Sequence, residues 1–282
     1  MSKKNQIDEP QYFLSPINNS VLNYRVYKMT ATEKLLYFAL ILSVGGAVGL
    51  IFYGGLFKKG GEATAATVIS NTIIFIAIGL ISVKLFMPIL NESLRKKRIS
   101  KLKFQFRDFL SSLSNSMSSG MNVNDSIVNA CKDLESQYSS EAYIVIETKE
   151  ILGCVQNNIE VEEALRLFGE RSGCEEISNF AIVFSTCYRT GGNLKEIIAR
   201  TADIISEKIV INDEIETKIT SNKMQMLVMN VIPIFIAFMM KSMSSDFAES
   251  FASPLGIIMT TIAIGFFVVS YILGQKIMNI KE

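Results

Sequence analysis

Apolar residues are distributed along the chain in two distinct ways. In some stretches they run without interruption, and in others they recur every three or four positions. Leu35 to Phe57 is a run of 23 residues without a charge, bracketed by Glu33-Lys34 and Lys58-Lys59. About 20 apolar residues cross a bilayer core as a helix, so this run predicts a membrane span. A second run covers 67–90, with Lys84 near one end, where its stem can snorkel to the headgroups. A third covers 224–240 and includes Pro233, which membrane helices tolerate and which is expected to kink this one. A fourth covers 255–273. Only short loops divide each pair, so the pattern predicts two membrane hairpins, 35–90 and 224–274. Around them lie an N-terminal tail (1–34), a polar segment (91–223) and a C-terminal tail (275–282). The tail carries Pro10 and Pro16 and reads as a loose segment or a short surface helix. It lacks the pattern of a secretory signal.

The polar segment has helical rather than strand periodicity. Ile99, Leu102, Phe106, Phe109, Leu110, Leu113 and Met117 form one apolar stripe at spacings of three and four. Ser118-Ser119-Gly120 ends that helix, and Asn122 or Asn124 can cap the next. Shorter stripes follow around Ile127 to Leu134, Tyr143 to Ile151, Ala164 to Phe168 and Ile177 to Cys187. After Gly191-Gly192 a long helix starts at Leu194 and has no Gly or Pro before Pro233, so it is expected to run into the third span. No useful length alternates with period two, so strands are not expected. The fold class is therefore all-α: four transmembrane helices and a central bundle of about six helices. Three stretches repeat one plan of glycine, polar cap and amphipathic helix start, at Gly120, Gly153 and Gly191-Gly192-Asn193-Leu194. They read as helix-turn-helix corners in which glycine supplies a positive φ.

Composition narrows the chemistry. The 282 residues contain no His, which excludes imidazole bases, His-activated nucleophiles and His metal ligands. The cysteines, Cys131, Cys154, Cys174 and Cys187, never take CxxC spacing and read as small buried hydrophobes. Asp246 and Glu249 are too few ligands for a metal site, and no cofactor is expected. No Walker A lysine motif is present, so the chain is not a P-loop motor. A net charge of +1 gives no pull toward nucleic acid.

The charge is nevertheless uneven. Seven basic residues and one acidic lie between Glu92 and Arg107, whereas ten basic and nineteen acidic lie between Asp108 and Lys223. Arg95, Lys96, Lys97 and Arg98 directly follow the second span and are expected to rest on anionic lipid headgroups. The bias of Lys and Arg places both termini and the central segment in the cytosol. A transporter or channel subunit is the competing class, but the spans offer it only Lys84 as an ionisable group.

The chain resembles the type II secretion system F-domain family, and within it the TadB/TadC-type inner-membrane platform proteins of Tad (Flp) pilus systems. The likeness rests on Phe109-Leu110 to Leu113 with Ser119-Gly120-Met121 and Ile127, and on Glu147 ahead of Gly153 and Ala164-Leu165. Its most specific part is Tyr188-Arg189-Thr190-Gly191-Gly192-Asn193-Leu194 with Ile198. One copy of the domain, rather than the two of larger relatives, favours the Tad branch. The resemblance implies a non-enzymatic platform beneath a growing pilus, with a cytosolic secretion ATPase, pilin subunits, and a paralogous platform protein or a second copy of itself as partners. Glu147 is expected to be a buried or interhelical carboxylate paired with Arg189 or Arg200. Gly120, Glu147, Gly153, Arg189, Gly191, Gly192, Asn193 and Leu194 form the candidate structural or partner-contact motif.

Overall fold

The computed structural model describes residues 10–55, 64–191 and 193–278, apart from the side chains of 212–213, 215–223, 245–246, 271–272 and 275–278. Gly192 and the Lys58-Lys59 pair fall outside the described residues, as does the side chain of Asp246. The described elements are β1 (Tyr12–Leu14), β2 (Ser20–Leu22), α1 (Ala31–Tyr53), α2 (Ala65–Ser118), α3 (Val123–Gln137), α4 (Tyr143–Gln156), α5 (Val161–Ser172), α6 (Glu175–Thr190), α7 (Leu194–Met243), α8 (Ser245–Ala252) and α9 (Pro254–Met278). They form two compact units, Met1–Lys28 with Asn91–Asp213, and Met29–Leu90 with Glu214–Glu282.

The first unit is built on the predicted stripes. Leu102, Phe106, Phe109, Leu110 and Leu113 of α2 are fully buried, together with Ile127 and Leu134 of α3 and Ile144 and Ile151 of α4. Phe168 of α5, Phe180 and Phe184 of α6, and Ile198 and Ile205 of α7 complete this core. Phe106 is its hub, with ring centroids 5.8 Å from Phe109, 6.0 Å from Phe168 and 5.5 Å from Phe180. Helices α5 and α6 approach closely at Gly169, where a Cβ would come within 3.2 Å of Ser178 Cα and 3.3 Å of Ala181 Cβ. Cys131, Cys154 and Cys174 are buried free thiols, and Cys187 is half-buried.

The N-terminal segment departs from its expected looseness. Residues 12–22 form an antiparallel hairpin in which Tyr12 pairs with Leu22, Phe13 with Val21 and Leu14 with Ser20. Pro16 and Asn18, the latter left-handed at φ 60, turn the chain. Val21 and Tyr24 are then buried, and Tyr24 joins the same core as the helices. Three-residue strands are too short to leave a period-two signature, which is why the sequence pattern predicts none there.

In the second unit, α1 and α2 pack through small residues. A Cβ on Gly45 would lie 2.6 Å from Ser82 Cβ, and one on Gly79 would lie 2.9 Å from the Leu42 carbonyl oxygen, so the two backbones meet where side chains are missing. Lys241 Nζ donates to the carbonyls of Phe52 (3.3 Å) and Gly54 (3.0 Å), placing a cation on the negative end of α1. Among the described residues, three helical segments are long and apolar enough to cross a membrane: Ala31–Tyr53, Met224–Met243 and a stretch within Ala65–Ser118. A further apolar helical stretch, Pro254–Ser270, belongs to α9. The segment expected as a loop between the third and fourth runs contains α8.

Candidate functional site

Glu147 sits one turn into α4 on its buried face, and its side chain is 1% exposed. A carboxylate at that depth persists only if its oxygens are hydrogen-bonded. Arg171, in the last turn of α5, supplies a two-pronged contact: Nη2 donates to Oε2 at 2.8 Å and Nη1 to Oε1 at 3.1 Å. Tyr24 Oη donates to Oε1 at 3.0 Å. The partner of Glu147 is thus Arg171, in place of the expected Arg189 or Arg200. Twenty-four positions separate the pair, a distance that helical periodicity does not report.

The cluster also fastens the N-terminal segment. Arg171 Nη1 donates to the carbonyl of Leu22 at 3.0 Å, and Tyr24 N–H donates to the carbonyl of Arg171 at 2.9 Å. Asn19 Nδ2 donates to Glu150 at 2.9 Å. Burial pushes the Glu147 carboxyl upward, and the charge and hydrogen bonds of Arg171, with the bond from Tyr24, pull against it. Burial, and then the adjacent Glu147 carboxylate, drives the Tyr24 phenol well above its ordinary value. Tyr24 therefore stays a donor throughout the physiological range.

A second ionic cluster ties α2, α6 and α7. Glu176, in the first turn of α6, accepts from Lys103 at 2.8 Å and from Lys208 at 3.1 Å. The Cys174 thiol donates to the same carboxylate at 3.1 Å. Burial works to raise Glu176, but these donors outweigh it and hold the carboxyl at about 2. Cys174 is pushed up to about 11, mainly by burial, so it is a protonated thiol and not a nucleophile.

The remaining motif residues are corners. Gly120 (φ 89) and Gly191 (φ 70) are left-handed, as the repeated plan requires, and a Cβ at either would meet open space. Gly153 breaks the pattern. It lies inside α4, and the left-handed residue of that corner is Asn158 (φ 61). Asn122 caps α3 by accepting from Asp125 N–H at 2.9 Å. Asn193 Oδ1 accepts from Glu196 N–H at 3.3 Å at the start of α7, and Leu194 packs against the core. Arg189 is exposed and donates to Glu162 at 3.3 Å, linking the end of α6 to the start of α5. In the basic run, Lys96 and Lys97 are exposed. Arg95 is paired with Glu92 at 2.6 Å, and the Arg98 guanidinium lies 4.2 Å over the Tyr27 ring. Arg95 and Arg98, both predicted headgroup ligands, therefore engage protein groups. Among the described residues, no three metal-ligating side chains converge.

These buried polar clusters fasten elements together and offer no nucleophile or general base to a substrate. Residues 109–242 match the family described as Type II secretion system (T2SS), protein F. No curated protein and no solved structure matches the chain. The match begins within the α2 stripe and ends in the last turn of α7. Over residues 109–242 the chain is similar to the T2SS protein F family, whose members are non-enzymatic membrane platform components of secretion and pilus machinery.

Proposed function

We propose that the chain is the single-domain, TadB/TadC-type platform of a Tad (Flp)-like pilus, coupling a cytosolic secretion ATPase to pilin insertion or extraction. The observation that carries this reading is α7, whose residues Leu194–Met243 belong at one end to the F domain and at the other to a membrane-length apolar stretch. On this view α7 carries a displacement imposed on the domain by a motor toward the membrane. In this reading α9 serves as a fourth span, and the bias of Lys and Arg puts both termini and the domain in the cytosol. The basic run Arg95-Lys96-Lys97-Arg98 meets anionic lipid there, and pilin subunits and a paralogous or second platform chain complete the assembly.

Inserting a short Gly-Ser segment at Ser221 tests the coupling. Loss of surface pili with normal membrane levels of the chain is expected, and unchanged piliation would reject transmission through α7. Purification in mild detergent tests the partnership: the secretion ATPase encoded with the pilin genes is expected to accompany the chain. Labelling of a cysteine placed at Glu175 by a membrane-impermeant reagent on intact cells would overturn the orientation.

A further inference from the structure

Among the described residues, the outer edge of strand β1 is unpaired. The backbone bonds Asn23 N–H to Gln11 C=O (2.8 Å) and Ser15 N–H to Asn19 C=O (2.9 Å) fix the hairpin register. Hydrogen-bonded pairs in an antiparallel ladder alternate, so 11–23, 13–21 and 15–19 face inward. The N–H and C=O groups of Tyr12 and Leu14 therefore point away from β2, and among the described residues no backbone partner meets them. The side chains on this strand are exposed as well: Tyr12 at 56%, Phe13 at 36% and Leu14 at 76%.

Free edges are normally guarded by charge, proline at the edge position or a bulge. This one carries no charge, since from Pro10 to Tyr24 the sequence contains no charged residue, and Pro10 and Pro16 bracket it so that Tyr12 and Leu14 are left as its outward donors. Nor is the hairpin loose, because Tyr24, Leu22 and Asn19 are held by Arg171, Glu147 and Glu150. Beside the edge, a cavity of about 450 Å³ is lined by Phe13, Leu14, Ile151 and Leu167, together with Glu150 and Arg171. The hairpin therefore presents an anchored, uncharged, apolar strand edge whose outward main-chain donors and acceptors meet no partner among the described residues.

We propose that the outer edge of β1 is the surface on which a second copy of this chain docks, with the two β1 strands pairing antiparallel about a two-fold axis at Phe13. The outward groups select this register. With Tyr12 and Leu14 as the bonding residues, a two-fold places Tyr12 opposite Leu14 of the second copy and Phe13 opposite its own equivalent. Four main-chain hydrogen bonds form and two hairpins become a four-stranded sheet. A neutral edge favours a like copy, because no charge on it repels an identical strand and none selects a partner of opposite sign. A three-residue edge is a weak contact in dilute solution. Confinement of both copies to one membrane raises their effective concentration, so the pairing is expected in the membrane and at high occupancy in detergent.

Disulfide trapping in membranes tests this, using the full chain in a Cys187→Ser background with single cysteines at 12, 13 or 14. Opposed residues of a non-bonded antiparallel pair lie about 4.5 Å apart between Cα atoms, inside the range a disulfide spans. Phe13→Cys is therefore expected to form a covalent dimer on mild oxidation. Tyr12→Cys alone and Leu14→Cys alone place equivalent cysteines two residues, about 7 Å, out of register along the strands, and are expected to dimerise at least about tenfold less. Mixing the Tyr12→Cys and Leu14→Cys chains should restore the dimer. Adding Leu14→Pro to Phe13→Cys removes an outward N–H and should abolish the Phe13→Cys dimer. Equal trapping at all three positions, no dimer at 13, or trapping of 13 only to a different protein would each overturn the proposal.

Discussion

At the scale of single residues, the most consequential group is a carboxylate with no access to water. Glu147 is tolerated because Arg171 and Tyr24 fill its acceptor sites. Removing one partner of such a pair strands the other. Arg171→Ala is expected to destabilise the helical unit by about 3–5 kcal/mol. Tyr24→Phe should cost about 1.5–3 kcal/mol, the range for a bond to a charged acceptor. The double variant Glu147→Leu with Arg171→Leu should lose far less than Arg171→Ala, since no charge is left unpaired. Thermal unfolding midpoints in detergent read all three, and a double variant as unstable as Arg171→Ala would contradict the account.

Glu176 governs the acid limb. Its folded value of about 2 lies below the ordinary 4.5, so it favours the folded unit above pH 4.5. That contribution is lost as pH falls from 4.5 through 2. Glu147 is shifted upward and runs the other way, so acid relieves part of its burial cost. Glu176→Gln should therefore flatten the loss of stability in that window, and an unchanged acid limb would exclude the Lys103–Glu176–Lys208 cluster as its cause.

At the scale of elements, caps and corners divide into those the sequence announces and those it hides. The stop at Gly120, the cap at Asn122 and the left-handed Gly191 are legible because residue type alone dictates them. Gly153 is misleading, because a glycine before a polar run looks the same whether it ends a helix or lies within one. Gly173 goes unannounced. It is left-handed at φ 63, and a Cβ there would press on Arg25 Cγ at 3.2 Å and Ile99 Cδ1 at 3.3 Å. Only the fold brings those neighbours to it. Gly120→Ala bears the backbone term alone, about 1–2 kcal/mol, and Gly173→Ala should lose measurably more through crowding. Asn122→Ala should cost about 1 kcal/mol. Equal losses at the two glycines would show that Arg25 and Ile99 yield freely.

At the scale of the whole molecule, the apolar runs and helical stripes place the membrane segments and the core, because burial against lipid or against helices is written directly into hydropathy. Tertiary pairings are not written that way. Neither Arg171 for Glu147 nor the seating of residues 10–28 against the helices has a local signal, since both join positions more than twenty apart in the chain. Deleting residues 1–28 is expected to leave the helices formed while sharply increasing proteolysis of the region around Arg171, because Glu147 and Arg171 would then face water. Limited digestion with trypsin reads this, and an unchanged digestion pattern would show that the hairpin adds nothing to the unit.

The unit formed by Met1–Lys28 with Asn91–Asp213 also imposes an order of events. Tyr24 leaves the ribosome long before Glu147 and Arg171 exist, and a membrane-length helix is made in between. The hairpin must therefore wait, uncharged and apolar, until α4 and α5 have been synthesised. Because it docks last, a segment of this kind is expected to be replaceable from outside. A synthetic peptide of residues 10–28 should rescue the truncated chain in trans, restoring its resistance to trypsin.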